Sequence, residues 1–261
     1  MRVIDFHAHA FPDKIAERAV EHLGDYYQVT IPHRGNVSDL LLHAEEGTVE
    51  HLVLSSVATK PEVVKINNDW VAGLASEHSD LITGFGSIHA GSADFAAELD
   101  RMQSLGLKGV KIHPDFQDFD IDDSRMWPIY EAIGDRFIVL FHVGDIKSQA
   151  SRPLKLAKVL NAFPHMRVIA AHLGGWSRWD EARECLLKRE IYIDTSSTFW
   201  CLSKEEIVSL IRFHGVEKVL FGTDYPMISH KNEIANFLSL PLKEWEQERI
   251  LYTNGRQLLD L

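Results

Sequence analysis

Along the chain, short runs of apolar, β-favouring residues alternate with longer stretches in which apolar positions recur every three to four residues. The runs begin near Arg2, His51, Leu81, Leu107, Phe137, Arg167, Ile191 and Glu217. From His51 onward their starts lie 24–30 residues apart, about the length that a strand, a loop and a helix of two to four turns require. Pro12–Leu23 predicts a helix with Ile15, Ala16, Ala19, Val20 and Leu23 on one face. Ser92–Leu105 predicts another, with Ser92 as its cap and Phe95, Ala96, Leu99 and Met102 as its stripe. Asp122–Ile133, Arg152–Phe163 and Ser203–Phe213 follow the same pattern, and Ser203 with Glu206 fits a capping box.

The runs Ile138–Phe141, Val168–Ala171 and Val219–Phe221 are continuously apolar, as suits parallel strands covered on both faces. Eight strand–helix units in 261 residues predict a single-domain, closed (β/α)8 (TIM) barrel of the α/β class. An open doubly wound sheet would use fewer strands, and no G-x-G-x-x-G follows the first run. The long first gap holds a segment, 25–36, that contains Tyr26, Tyr27, Pro32, Gly35 and Asn36. It reads as an insertion or lid ahead of a short helix, Ser38–Glu46.

Composition narrows the function classes. With 27 Lys+Arg against 38 Asp+Glu, the net charge of −11 repels phosphate backbones and makes nucleic acid a poor partner. No apolar run approaches the roughly 20 residues that cross a bilayer, so no membrane partner is expected. No signal peptide is read at the start, and Cys185 and Cys201, too few for a disulfide framework, are expected to be packed thiols of a cytoplasmic protein. A homodimer is compatible with a barrel of this size.

The 14 histidines carry the chemical signal. In such barrels chemistry gathers where strands end. The runs end in Asp5-Phe6-His7-Ala8-His9, His89, Lys111-Ile112-His113, His142, His172, Asp194 and Thr223-Asp224. His7 and His9, two apart on a strand, share a face about 6.6 Å apart, close enough for both imidazoles to converge on one ion. His142 and Asp224 are the natural third and fourth ligands, and Asp224 can also accept a proton from an activated water. Taken alone, Asp224 reads equally well as a turn residue before Tyr225-Pro226. His22, His43, His78, His165, His214 and His230 fall in helices or helix ends and read as solvated or packed. Lowering a water's pKa from 15.7 to about 7 amounts to roughly 12 kcal/mol. A carboxylate base alone contributes about 3–5 kcal/mol, so the cluster is better explained by a metal than by a metal-free acid–base pair.

Five pieces, spread from one end of the chain to the other, resemble the amidohydrolase superfamily: Ile4–His9, Gly109–Pro114, His172–Gly175, Gly222–Pro226 and Asn254–Leu259. The match is to the branch with aminocarboxymuconate-semialdehyde decarboxylase, resorcylate decarboxylases and pyrone-dicarboxylate lactonase. The resemblance implies a distorted barrel with one divalent metal, usually zinc, with manganese or a second ion as alternatives. It carries ligand roles onto His7, His9, His142 and Asp224. It makes His172 a polarising or proton-transferring group, or a ligand to a second metal. Lys111 stands about where two-metal members place a bridging carboxylated lysine or a glutamate; as an ammonium it would instead hold a substrate carboxylate or an oxyanion. His113, Arg152, Trp176 and Trp200 are weaker candidates for substrate contact, as are Asp115 and Arg178.

The expectation is a hydrolase in which a metal-activated water attacks an ester, lactone or amide carbonyl of a small, carboxylate-bearing molecule. Asp224 and His172 would be its catalytic groups. The alternatives are a metal-dependent decarboxylase of an aromatic or unsaturated acid, and a barrel that binds a metal or ligand without turnover.

Overall fold

A computed structural model describes residues 1–261. Eight parallel strands follow one another around a barrel: β1 (Ile4–His9), β2 (His51–Ser55), β3 (Ile82–Ser87), β4 (Gly109–Ile112), β5 (Ile138–Phe141), β6 (Arg167–Ala170), β7 (Tyr192–Asp194) and β8 (Val219–Leu220). β8 is only two residues long, and backbone hydrogen bonds close the ring beyond it. Phe6 N donates to Phe221 O at 2.9 Å, His9 N to Tyr225 O at 2.8 Å, and Asp224 N to His7 O at 2.7 Å. No helix is long and apolar enough to cross a membrane.

The strands alternate between two cores. Ile4, Phe6, Val53, Phe85, Ile138, Leu140, Ile169 and Leu220 fill the barrel interior, sealed at one end by Tyr252 and Leu258 of the C-terminal helical segment. Val110, Val139, Phe141, Val168, Ala170, Ile193 and Val219 face outward to the helices. This two-residue period is what a strand requires. β1 breaks it once. Its register against β2 shifts between Asp5 and Ala8, three residues on one strand opposing two on the other. Phe6 belongs to the interior core and Ala8 to the outer one. The bulge thus inverts the alternation between Phe6 and His7, so that His7 and His9 line the same interior as Ile4 and Phe6.

Local outcomes differ from the sequence pattern in three places. The first helix, α1 (Asp13–Tyr27), runs four residues past Leu23, so Tyr26 and Tyr27 lie on the helix rather than in the 25–36 segment. The rest of that segment is a loop, pinned where Phe11 N donates to Gly35 O at 2.8 Å, ahead of α2 (Val37–Glu46). The helix expected from Ser92 starts at Phe95, and Ser92 does not cap it. Cys201 is exposed, not packed, because it sits in the loop after β7. The capping box of Ser203 and Glu206 is present.

Candidate metal centre

The strand ends bring His7, His9, Lys111, His113, His142 and Asp224 to one cavity of about 730 Å³. His7 Nε2 and His9 Nε2 each lie 3.5 Å from Asp224 Oδ1. The far nitrogen of each ring is tied down. His7 Nδ1 donates to Asp194 Oδ2 at 2.9 Å and His9 Nδ1 to Ser55 O at 2.9 Å. Because those acceptors hold the ring protons, both Nε2 atoms present lone pairs to Asp224. His172 repeats the arrangement: its Nδ1 donates to Ser196 O at 3.0 Å, and its Nε2 faces His142 Nδ1 at 3.0 Å. An imidazole held through one nitrogen by a carboxylate or carbonyl, with the other free, is how metal-ligating histidines are oriented.

The trio His7, His9 and Asp224 has its donor atoms within 4.8 Å of one another. His142 stands across the cavity, stacked on His113 at 4.0 Å. Its Nε2 is buried without a hydrogen-bond partner, 3.7 Å from Asp115 Oδ2, which is orphaned as well. The donor set fits a divalent ion. Burial, with the neighbouring cations and imidazoles, drives His7, His142 and His172 below the ordinary imidazole range, His7 to about 4. All are therefore neutral near pH 7, as ligands must be. Burial would raise Asp224, but the imidazoles of His7, His9 and His172 outweigh it and hold the carboxyl well below its usual range. Lys111 is fully buried and its Nζ meets His7 Nε2 at 2.8 Å. Burial lowers it to about 8 against the pull of Asp224 and Asp194.

Two site residues have left-handed backbones, His172 at φ 59° and Asp224 at φ 64°. Strain of this kind in non-glycine residues persists only where surrounding contacts enforce it, and it concentrates at functional sites. At His172 it turns the ring toward His7 and His142, whose ring centroids lie 5.1 and 4.8 Å away. The contacts are visible: Asp194 Oδ1 accepts from His172 N at 3.0 Å, and Ser197 Oγ donates to Asp224 Oδ2 at 2.5 Å.

Asp194 is the residue that the sequence marked as a strand end without a role. Fully buried, it receives His7 Nδ1, His172 N and Ser196 N, and so orients two site histidines at once. Asp5 does the same for the β8 turn, accepting from Thr223 N at 3.0 Å and Thr223 Oγ1 at 2.6 Å. Its strand position beside His7 was the only sequence signal.

The weaker substrate candidates scatter. Arg152 lies outside the cavity, its Nε donating to Glu181 Oε1 at 3.1 Å, so its charge is already paired. Trp200 is 42% exposed and Trp176 packs edge-on against Tyr27; neither lines the cavity. Arg178 donates to the carbonyls of Asp145 and Ser148 and so braces a loop. Tyr27 does line the cavity, with its hydroxyl 3.3 Å from His113 Nε2. His22 is exposed and also lines it, whereas His214 and His230 are packed inside the protein.

No curated protein matches the chain. Among solved structures, an uncharacterised TIM-barrel protein from Bordetella bronchiseptica matches with a TM-score of 0.83 at 21% identity, over 100% of this chain and 99% of that one. A dihydroxybenzoic acid decarboxylase from Polaromonas, solved with manganese and 2-nitroresorcinol, matches at 0.75 and 16%, over 99% and 97% of the two chains. A probable 2-pyrone-4,6-dicarboxylic acid hydrolase from Acinetobacter baumannii, with citric acid bound, matches at 0.74 and 17%, over 100% of both. At these identities the likeness is one of fold. Residues 4–261 also match the family described as Amidohydrolase, nearly the whole chain, and the protein belongs to the amidohydrolase family.

Proposed function

We propose that this protein is a metal-dependent hydrolase of a small ester, lactone or amide whose polar end meets the histidine cluster and whose other end is apolar. The observation that carries this reading is the trio His7, His9 and Asp224, whose donor atoms converge within 4.8 Å at the floor of a largely apolar cavity without an arginine. His7, His9 and Asp224, with His142, would hold a divalent metal such as zinc or manganese, which when bound would supply Lewis acidity and a water of lowered pKa.

Asp224 takes the proton of the attacking water and returns it to the leaving group. His172 Nδ1 is bound to Ser196 O and its Nε2 faces His142 Nδ1 at 3.0 Å, so any proton it relays passes through His142. Asp194 fixes the tautomer of His7 through Nδ1 and anchors the backbone of His172. The walls choose the rest of the substrate. Phe11, Ile15 and Leu23 at the start of the chain and Val57, Ile66 and Trp70 after β2 line the cavity. Burying an apolar arm there contributes about 25 cal/mol per Å².

Lys111 supports a second reading, a decarboxylase. A buried ammonium at the cavity floor would hold a carboxylate. The test is to measure hydrolysis of aryl and alkyl esters and lactones of increasing arm length beside carbon dioxide release from hydroxybenzoates. Hydrolysis that strengthens with arm length, weakens in Ile66→Asp and vanishes in Asp224→Asn is expected. Carbon dioxide release without hydrolysis would replace the first reading with the second.

A further inference from the structure

A second cluster of ligand-type side chains lies away from the cavity, where the loop 28–36 meets α2. His33 comes from the loop, and Asp39 and His43 lie one turn apart on α2. Their donor atoms fall within 4.8 Å of one another. His33 Nδ1 faces His43 Nε2 at 3.1 Å, and Asp39 Oδ1 lies 4.0 Å from the same His43 Nε2. All three residues are partly buried.

The hydrogen bonds around the cluster leave its inner atoms short of positive charge. His43 Nδ1 donates to Glu46 Oε2 at 3.1 Å, so His43 Nε2 turns a lone pair toward His33 Nδ1. Asp39 Oδ2 accepts from Arg34 N at 2.8 Å and Tyr225 Oη at 2.6 Å, while Oδ1 accepts no hydrogen bond and turns toward the imidazoles. Two lone-pair atoms and the His33 nitrogen therefore converge with at most one proton among them. Glu46 stands behind His43 as carboxylates stand behind metal-ligating histidines.

We propose that His33, Asp39 and His43 form a peripheral binding site for a divalent transition metal, with water completing the shell on the open side. Two imidazoles and one carboxylate suit zinc, at metal–ligand distances near 2.0–2.2 Å. The ion would clamp the 28–36 loop to α2. Through Asp39 and Tyr225 the clamp extends to the turn that carries Asp224. The site is independent of the cavity cluster and does not rest on the proposed reaction.

The experiment is equilibrium dialysis of the full chain against micromolar free zinc, with metal counted by plasma mass spectrometry. Wild type, His33→Gln, Asp39→Asn, His7→Ala and His165→Gln are compared, His165 being an exposed histidine elsewhere. The expected result is one zinc equivalent lost in His33→Gln and in Asp39→Asn, and retained in His165→Gln. His7→Ala keeps that equivalent while losing the cavity's own. The loss is accompanied by a smaller zinc-dependent rise in melting temperature than wild type shows. Asp39→Asn preserves the side-chain shape, so it separates ligand loss from misfolding. Equal zinc content in wild type and the two folded cluster variants overturns the proposal, as does an equal loss in His165→Gln.

Discussion

Replacing Glu233 by glutamine should change how stability depends on pH. Glu233 lies on the helix His230–Leu238, fully buried behind the β8 turn. Its Oε2 accepts from Asn236 Nδ2 at 2.9 Å, and its Oε1 has no partner. Burial, with the nearby charges of Asp5 and Asp224, raises its carboxyl from 4.5 to about 8. The folded protein therefore keeps a proton that the unfolded chain releases above pH 4.5. Folding loses stability as pH rises through that window and levels off above the folded pKa. Each unit is worth 1.36 kcal/mol, so the loss is about 3 kcal/mol at pH 7 and approaches 5 kcal/mol above pH 8. Glutamine removes the titration. Urea denaturation of wild type and Glu233→Gln at matched metal loading, in steps from about pH 4 to 8.5, isolates the effect, because all other groups cancel in the difference. The variant should gain on wild type steadily above pH 5 and by a few kcal/mol at pH 8. Parallel stability curves across that range would refute a buried, protonated Glu233.

Four further outcomes are expected. Asp224→Asn should lose at least two orders of magnitude in kcat, and unchanged turnover in a steady-state assay would remove Asp224 from the mechanism. Asp194→Asn should weaken metal retention by 10–100-fold in a competition titration, because it alters the partner of His7 Nδ1 without touching a ligand. Gly144→Ala should destabilise by about 3 kcal/mol or more in a denaturant melt. Its φ is +104°, and a Cβ there would sit 2.4 Å from the Gly175 carbonyl carbon. Arg152→Ala should leave kcat/KM for every carboxylate tested within twofold, since its guanidinium is paired with Glu181 outside the cavity.

Much of this protein follows from its linear pattern. The spacing of the apolar runs dictates the barrel, because strand and helix periods are local properties of the chain and eight such units bury their faces only by closing. The strand-end positions of His7, His9, His142, His172, Lys111 and Asp224 bring them to one rim for the same reason. Where no periodicity operates, the tertiary structure decides. The β1 bulge, which turns His7 and His9 inward alongside Phe6, arises from register against β2 and leaves no mark on the alternation of the residues themselves. Asp194 acquires its hold on His7, and Asp5 its hold on Thr223, across 187 and 218 positions. Arg152 and Trp200 carry suitable chemistry, yet ion pairing and exposure keep them out of the cavity. A sequence states which groups are available at strand ends; which of them meet, and in which tautomer, depends on hydrogen bonds that exist only after the barrel has closed.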